Sequence, residues 1–274
     1  MAGGAIGRWC GGSGRWRWLG QSRWGPPPAA PDPPAPPDLP PPAWDPAGRT
    51  SPARESIPRT GWEFRSEAGL PPRSPVNPTP EWAVLLEIGA QRGIDAKGVM
   101  ERIFEHGLDI GAVSDGVLAQ SEAQAAGIWA VRETIPEANR RIGAISSHDI
   151  SLPLSRLAEF IERAGTEVAR IDDVRINCFG HVGDGNLHFN VFPPKGRERD
   201  RFTGIRDHVK QTVHDLVNEL GGSFSAEHGI GRVKVSDLQR YGDPTKLSAM
   251  RAIKAALDPE GIMNPGAVLP EQDP

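Results

Sequence analysis

Cys178-Phe-Gly-His181-Val-Gly-Asp-Gly-Asn-Leu-His188-Phe-Asn190 is the stretch on which the reading of this chain turns. Asp184-Gly185 is a favoured two-residue turn, and the residues after it alternate, with Leu187, Phe189 and Val191 apolar and His188 and Asn190 polar. The pattern predicts a β-hairpin over residues 174–191. With Asp184 and Gly185 as its turn, His181 stands directly opposite His188 on one face, Cβ atoms about 4.5–5.5 Å apart. Asn190 shares that face, whereas Leu187, Phe189 and Val191 turn to the other and supply a core. Cys178 precedes His181 by three residues and therefore points away. A Cys-x-x-His metal motif is excluded by strand parity, and Cys178 is expected as a small buried apolar residue.

A second segment, Ser225-Ala-Glu227-His228-Gly-Ile-Gly231, adds a carboxylate and a third imidazole between glycines that allow close approach. Paired histidines plus an acidic residue have the composition of a divalent-metal site. His106, His148, His208 and His214 carry no such company and are expected to be ordinary histidines, the last two within an amphipathic helix.

Three runs resemble one family. Gly180-His181-Val-Gly-Asp-Gly-Asn-Leu-His188, Ser225-Ala-Glu-His-Gly-Ile-Gly231 and Leu257-Asp-Pro-Glu-Gly-Ile-Met-Asn-Pro-Gly266 are similar to the C-terminal half of the FAD-linked 2-hydroxy-acid dehydrogenases, the group of D-2-hydroxyglutarate dehydrogenase, D-lactate dehydrogenase and the glycolate oxidase flavin subunit. Trp129-Ala-Val-Arg132-Glu133 and His148-Asp-Ile-Ser-Leu-Pro153 follow in the family's order, and the resemblance covers residues 80–270. It implies a zinc ion (Zn2+) held by His181, His188 and Glu227, with His228 as the base. It further implies that Arg132 and Asn190 contact a small 2-hydroxy-acid substrate and that Asn264 lies near FAD. Ser147 stands where many relatives carry a substrate-contacting lysine, which bears on affinity for a second carboxylate. The implied reaction oxidises a D-2-hydroxy acid, of the 2-hydroxyglutarate, lactate or glycolate type, to the 2-oxo acid.

Composition divides the chain near residue 80. Of 28 prolines, 19 lie in the first 80 residues, with six of the eight tryptophans, and no helical or alternating pattern is sustained there. Residues 1–79 are expected to be a disordered, Pro/Arg/Trp-rich segment unlike the family, followed by an oxidase C-terminal domain over 80–270. The first part carries nine arginines against six acidic residues, leaving an acidic remainder in a chain of net charge −4. Nucleic acid is thereby excluded as a partner of the folded part. No apolar run is long enough for a membrane span or signal peptide, so a cytoplasmic protein is expected. Four arginines without an acid in the first 31 residues keep the mitochondrial matrix as the alternative.

The remaining pattern predicts α+β architecture, an antiparallel sheet covered by helices on one side. A strand is expected over 83–88, a helix over 95–105, and a helix opened by the capping box Ser121-Glu-Ala-Gln124 that places Ile128 and Trp129 inward; Arg132, one turn after Ile128, can by spacing reach a pocket or lie solvated on the helix, and the resemblance favours the pocket. An edge strand is expected over 150–154, followed by a helix from Ser155 to Ala164. Phe202, Ile205, Val209, Val213, Leu216 and Leu220 repeat at helical spacing up to Gly221-Gly222, and a last helix covers 247–257.

Gly229-Ile-Gly231 is no dinucleotide fingerprint, since position 234 is lysine and no strand-to-helix unit surrounds it. The resemblance implies that FAD is held mainly by a separate domain that this segment does not encode, whether upstream or on a separate flavin-domain subunit. The isolated chain is then expected to be inactive, and the electron acceptor is left undefined. Two other readings fit the residues. Two histidines and a carboxylate also make the facial triad of flavin-independent iron enzymes, and the chain could be a non-catalytic fragment.

Overall fold

The computed structural model describes residues 53–71, 75–89 and 95–271, together with the backbone of 15–22. Its strands are β1 (Arg15–Ser22), β2 (Ala53–Pro58), β3 (Trp82–Gly89), β4 (Val113–Leu118), β5 (Ser146–Ser151), β6 (Arg175–His181) and β7 (Asn186–Phe192). They form one antiparallel sheet in the order β4-β1-β3-β2-β6-β7-β5. The helices are α1 (Arg59–Glu67), α2 (Ala96–Asp109), α3 (Glu122–Glu133), α4 (Ile135–Ile142), α5 (Leu157–Ile171), α6 (Arg206–Glu219), α7 (Val235–Tyr241) and α8 (Pro244–Leu257). The α+β class is as expected. Among the described residues no helix is long and apolar enough to cross a membrane.

The alternation after Gly185 sorts the hairpin as parity requires. Cys178, Leu187, Phe189 and Val191 are buried together with Ile150 and with Phe160, Val168, Val209 and Val213 of α5 and α6. Each such side chain removed from water contributes about 1.5–3 kcal/mol, which makes this face the main anchor of the hairpin. Burial also drives the Cys178 thiol up to about 12, so it remains a neutral apolar group.

The helices do not keep to one side. Phe179 points opposite to Cys178 and packs with Ile57, Leu85, Ile128, Val131 and Ile135, so α3 and α4 cover the other face. On that face the sheet also carries polar residues, among them buried Glu55, Asp149 and Asn190. Half of the capping box of α3 forms as read: Ser121 Oγ accepts the Gln124 N–H at 3.2 Å, while Gln124 Oε1 accepts the N–H of Gln120, one residue before the cap, at 2.6 Å.

Three expectations need correction. Residues 1–79 are not uniformly without structure: β1, β2 and α1 fall within them, and α1 is held by buried Trp62 and Phe64. The edge strand runs over Ser146–Ser151 and not 150–154, because beyond Ser151 the chain leaves the ladder and Leu152 N–H donates to the Gly185 carbonyl at 2.9 Å. The hairpin register also differs. His188 faces Phe179 rather than His181, since the turn spans Val182 to Gly185 and is closed by the Asp184 N–H on the His181 carbonyl at 3.0 Å. Gly185 is what permits this loop, with φ of 72° and a position where a Cβ would lie 2.1 Å from the Leu152 carbonyl oxygen.

Candidate metal centre

The corrected register moves the pairing by two residues, and a two-residue shift preserves the face. His181 is therefore a diagonal neighbour of His188 on the same face, ring centroids 5.6 Å apart. The third donor arrives from the segment after α6. Ser151 and Ser223 exchange backbone bonds at 2.9 and 2.8 Å, returning the chain to the edge strand. Ala226 N–H then donates to the Asp149 carbonyl at 3.1 Å, and the N–H groups of Glu227 and His228 both donate to Asp149 Oδ2, at 2.8 and 2.9 Å. Fastened in this way, Glu227 brings Oε1 to 3.7 Å from His181 Nε2. One donor atom from each of His181, His188 and Glu227 lies within 4.8 Å of the others.

Each site imidazole has a carboxylate near Nδ1. Glu55 Oε1 is 2.6 Å from His181 Nδ1, and Asp149 Oδ1 is 3.6 Å from His188 Nδ1. The first is a hydrogen bond that leaves the far nitrogen of His181 free to donate its lone pair, the usual arrangement around ligating histidines, whereas the second is longer than a hydrogen bond. Burial, and then the positive Arg132 nearby, hold His188 down at about 4 despite the opposing pull of Asp149. It is neutral at ordinary pH, as a ligand must be. Burial pushes the Asp149 carboxyl up, but the N–H of His228, the Asn186 amide and the N–H of Glu227 outweigh it and leave it below the usual range. Chemically, the donor set fits a divalent ion with a position open to solvent: Glu227 retains 52% of its side-chain exposure.

The other expected residues are placed as follows. His228 is exposed, its ring stacked near that of His188 (centroids 6.2 Å, planes 21° apart) and its Nδ1 3.4 Å from Asp149 Oδ2. Asn190 lies on the same face and donates from Nδ2 to the His188 carbonyl at 3.1 Å. Ser147, opposite Asn190, is exposed. Arg132 is buried over the Phe179 ring, 4.6 Å from its centroid, with Nε 2.8 Å from Glu55 Oε2. Asn264 adopts φ of 47° in a turn whose end is tied to the site segment, Val268 N–H donating to the Gly231 carbonyl at 2.7 Å.

Two residues that organise this centre carry no role in the sequence reading. Asp149 sits inside a quoted motif, yet nothing local shows that its carboxylate receives a loop 78 residues away. Glu55 lies in the segment expected to lack structure, and no spacing links it to His181 or Arg132.

The fold is that of a flavoenzyme family. A family model described as "FAD linked oxidases, C-terminal domain" matches residues 59–268, and the chain belongs to that family. The match begins at Arg59, upstream of the boundary expected at 80. D-2-hydroxyglutarate dehydrogenase of Stutzerimonas stutzeri (strain A1501) is 39% identical over 166 residues, covering 60% of this chain and 36% of that protein. The mitochondrial D-2-hydroxyglutarate dehydrogenase of Arabidopsis thaliana is 33% identical over 198 residues, 72% of this chain and 34% of the relative. The chain thus spans about a third of the length of these curated relatives. Among solved structures, p-cresol methylhydroxylase with substrate bound aligns with a TM-score of 0.61 at 11% identity, over 94% of this chain and 53% of that one. 4-Ethylphenol oxidase from Gulosibacter chungangensis, in its isoeugenol complex, aligns with 0.53 at 14%, over 95% and 55%. At these identities the likeness concerns the fold.

Proposed function

We propose that this chain is the substrate- and metal-binding part of an FAD-dependent dehydrogenase that oxidises a D-2-hydroxy acid to the 2-oxo acid. The observation that carries the reading is the convergence of His181, His188 and Glu227 beside His228, together with relatives named D-2-hydroxyglutarate dehydrogenase. Two imidazoles, one carboxylate and an open position suit zinc. Bound there, a divalent ion supplies Lewis acidity towards an alcohol oxygen, and FAD supplies hydride-accepting chemistry.

The chain's own groups do the rest. His228 takes the hydroxyl proton at Nε2, because Asp149 beside Nδ1 favours the tautomer that leaves Nε2 unprotonated. Arg132 offers its two terminal nitrogens to the substrate carboxylate, its Nε being engaged by Glu55. Asn190 lines the same face and orients the hydroxy acid. FAD is held mainly by a partner flavin domain, with Asn264 contributing from the turn tied to Gly231.

The test is metal binding by the chelator-stripped chain. Wild type should take up one equivalent of zinc, whereas His181→Ala and His188→Ala should take up almost none. Full retention by both variants overturns the site. Stoichiometric iron without any flavin requirement for activity would favour the facial-triad enzyme instead.

A further inference from the structure

Glu55 is 3% exposed and lies on β2, directly opposite His181 in the β2–β6 pairing. Both of its oxygens are engaged: Oε1 is 2.6 Å from His181 Nδ1 and Oε2 is 2.8 Å from Arg132 Nε. A buried carboxylate needs such company, because leaving water without a charged or hydrogen-bonding partner is costly. The guanidinium in turn rests on Phe179, the residue directly across from His188. One carboxylate therefore joins a candidate metal ligand to the candidate substrate anchor, on a strand that no sequence motif connects to either.

We infer that Glu55 is the positioning residue of the centre: it fixes the tautomer and ring orientation of His181 and holds Arg132 in place beside it. This inference rests on the metal reading given above. A carboxylate at Nδ1 requires the proton there, so Nε2 keeps its lone pair and points towards Glu227, 3.7 Å away. Turning the ring over would place a protonated nitrogen in the site and break the bond to Glu55. The same carboxylate consumes the Arg132 Nε–H, which aims the guanidinium so that its terminal nitrogens, unbonded to any described residue, are the ones presented to a ligand. Glu55 touches neither metal nor substrate; it acts through the groups that do.

The experiment compares the full chain with its Glu55→Gln variant. Zinc affinity is measured by chelator competition, and the His181 tautomer by nitrogen-15 NMR of the zinc-free protein. In wild type, His181 should carry its proton on Nδ1. Glu55→Gln should mix the tautomers and weaken zinc binding about 10- to 100-fold, the usual consequence of losing a carboxylate behind a ligating histidine. If Glu55→Gln fails to fold because Arg132 is left without its counter-charge, Glu55→Gln/Arg132→Leu removes that charge and carries the same expectation. Unchanged zinc affinity and tautomer in the folded variant overturn the inference while leaving the metal reading intact. Failure of wild type to bind zinc overturns the metal reading, and the role of Glu55 with it.

Discussion

Asp149 Oδ2 accepts the backbone N–H of His228 at 2.9 Å and lies 3.4 Å from the Nδ1 of the same residue, so one buried carboxylate fixes the backbone of the candidate base and sits beside its ring. It also holds Glu227 by its N–H, and the carboxylate is thus the clamp on Glu227 and His228, while the Asp149 backbone carbonyl holds Ala226. Asp149→Asn keeps the shape but removes the charge. Hydrogen bonds to charged groups contribute about 1.5–3 kcal/mol each, and weakening several should lower stability by about that amount in total. Urea unfolding should show this loss, and a zinc titration of the variant should show weaker binding through the loosened Glu227. A variant with unchanged stability and zinc affinity would mean that the clamp is idle.

Ligand identity can be separated from mere proximity. His188→Ala should abolish zinc uptake, whereas Cys178→Ala should retain it in full, because Cys178 packs against α5 and α6 on the opposite face. Metal analysis of the two purified variants decides the matter. Loss of zinc in Cys178→Ala, with the fold intact, would contradict the face assignment.

The base and the ligand are neighbours, yet their roles should part. Once a flavin domain is supplied, His228→Ala should lower turnover by about 10²- to 10⁴-fold, the contribution of a positioned general base, with zinc retained. His228→Gln, similar in reach but unable to take the proton, should match it. Simultaneous loss of metal and activity would identify His228 as a ligand, and survival of activity in both variants would move the base elsewhere.

Stability should fall on acidification through a second histidine group behind the sheet. His148 Nδ1 is 3.2 Å from His214 Nε2, His148 Nε2 is 2.9 Å from Ser146 Oγ, and His214 Nδ1 is 3.1 Å from Asp237 Oδ1. Burial, then His214, Lys210, Lys234 and Arg206, hold His148 well below the usual histidine range. Burial also lowers His214, although its bond to Asp237 opposes the shift. Lowered native values mean that the unfolded chain protonates first. Stability is therefore complete above about pH 6.5 and declines below it, with a slope of about 1.4 kcal/mol per pH unit for each histidine involved, until the native values are reached. His188, down at about 4, adds to the same slope. Urea unfolding between pH 7 and 5, with chelator present, should show the decline, and His148→Gln should reduce the slope by about one proton. A flat profile would contradict the buried neutral pair.

Local pattern determined much of this protein. Alternation from Leu187 to Val191 assigned the two faces of β7, and that assignment survives a register error of two residues because side chains repeat with period two. The Ser121 capping box and the run from Val209 to Leu220 located α3 and α6 for the same reason: their signals are complete within a few residues. Tertiary structure decided what depends on contacts across long separations. The turn extends to Val182 because Gly185 docks on the backbone of Leu152, which no hairpin rule contains. β2 and α1 were obscured by a proline-rich context, and Glu55 reaches His181 across 126 residues of chain. A polar residue facing a site leaves no periodic trace in sequence, since its partners lie on other elements and only the sheet order brings them together. Sequence thus singled out the candidate site residues, while the carboxylates beside them, Glu55 and Asp149, were placed by packing.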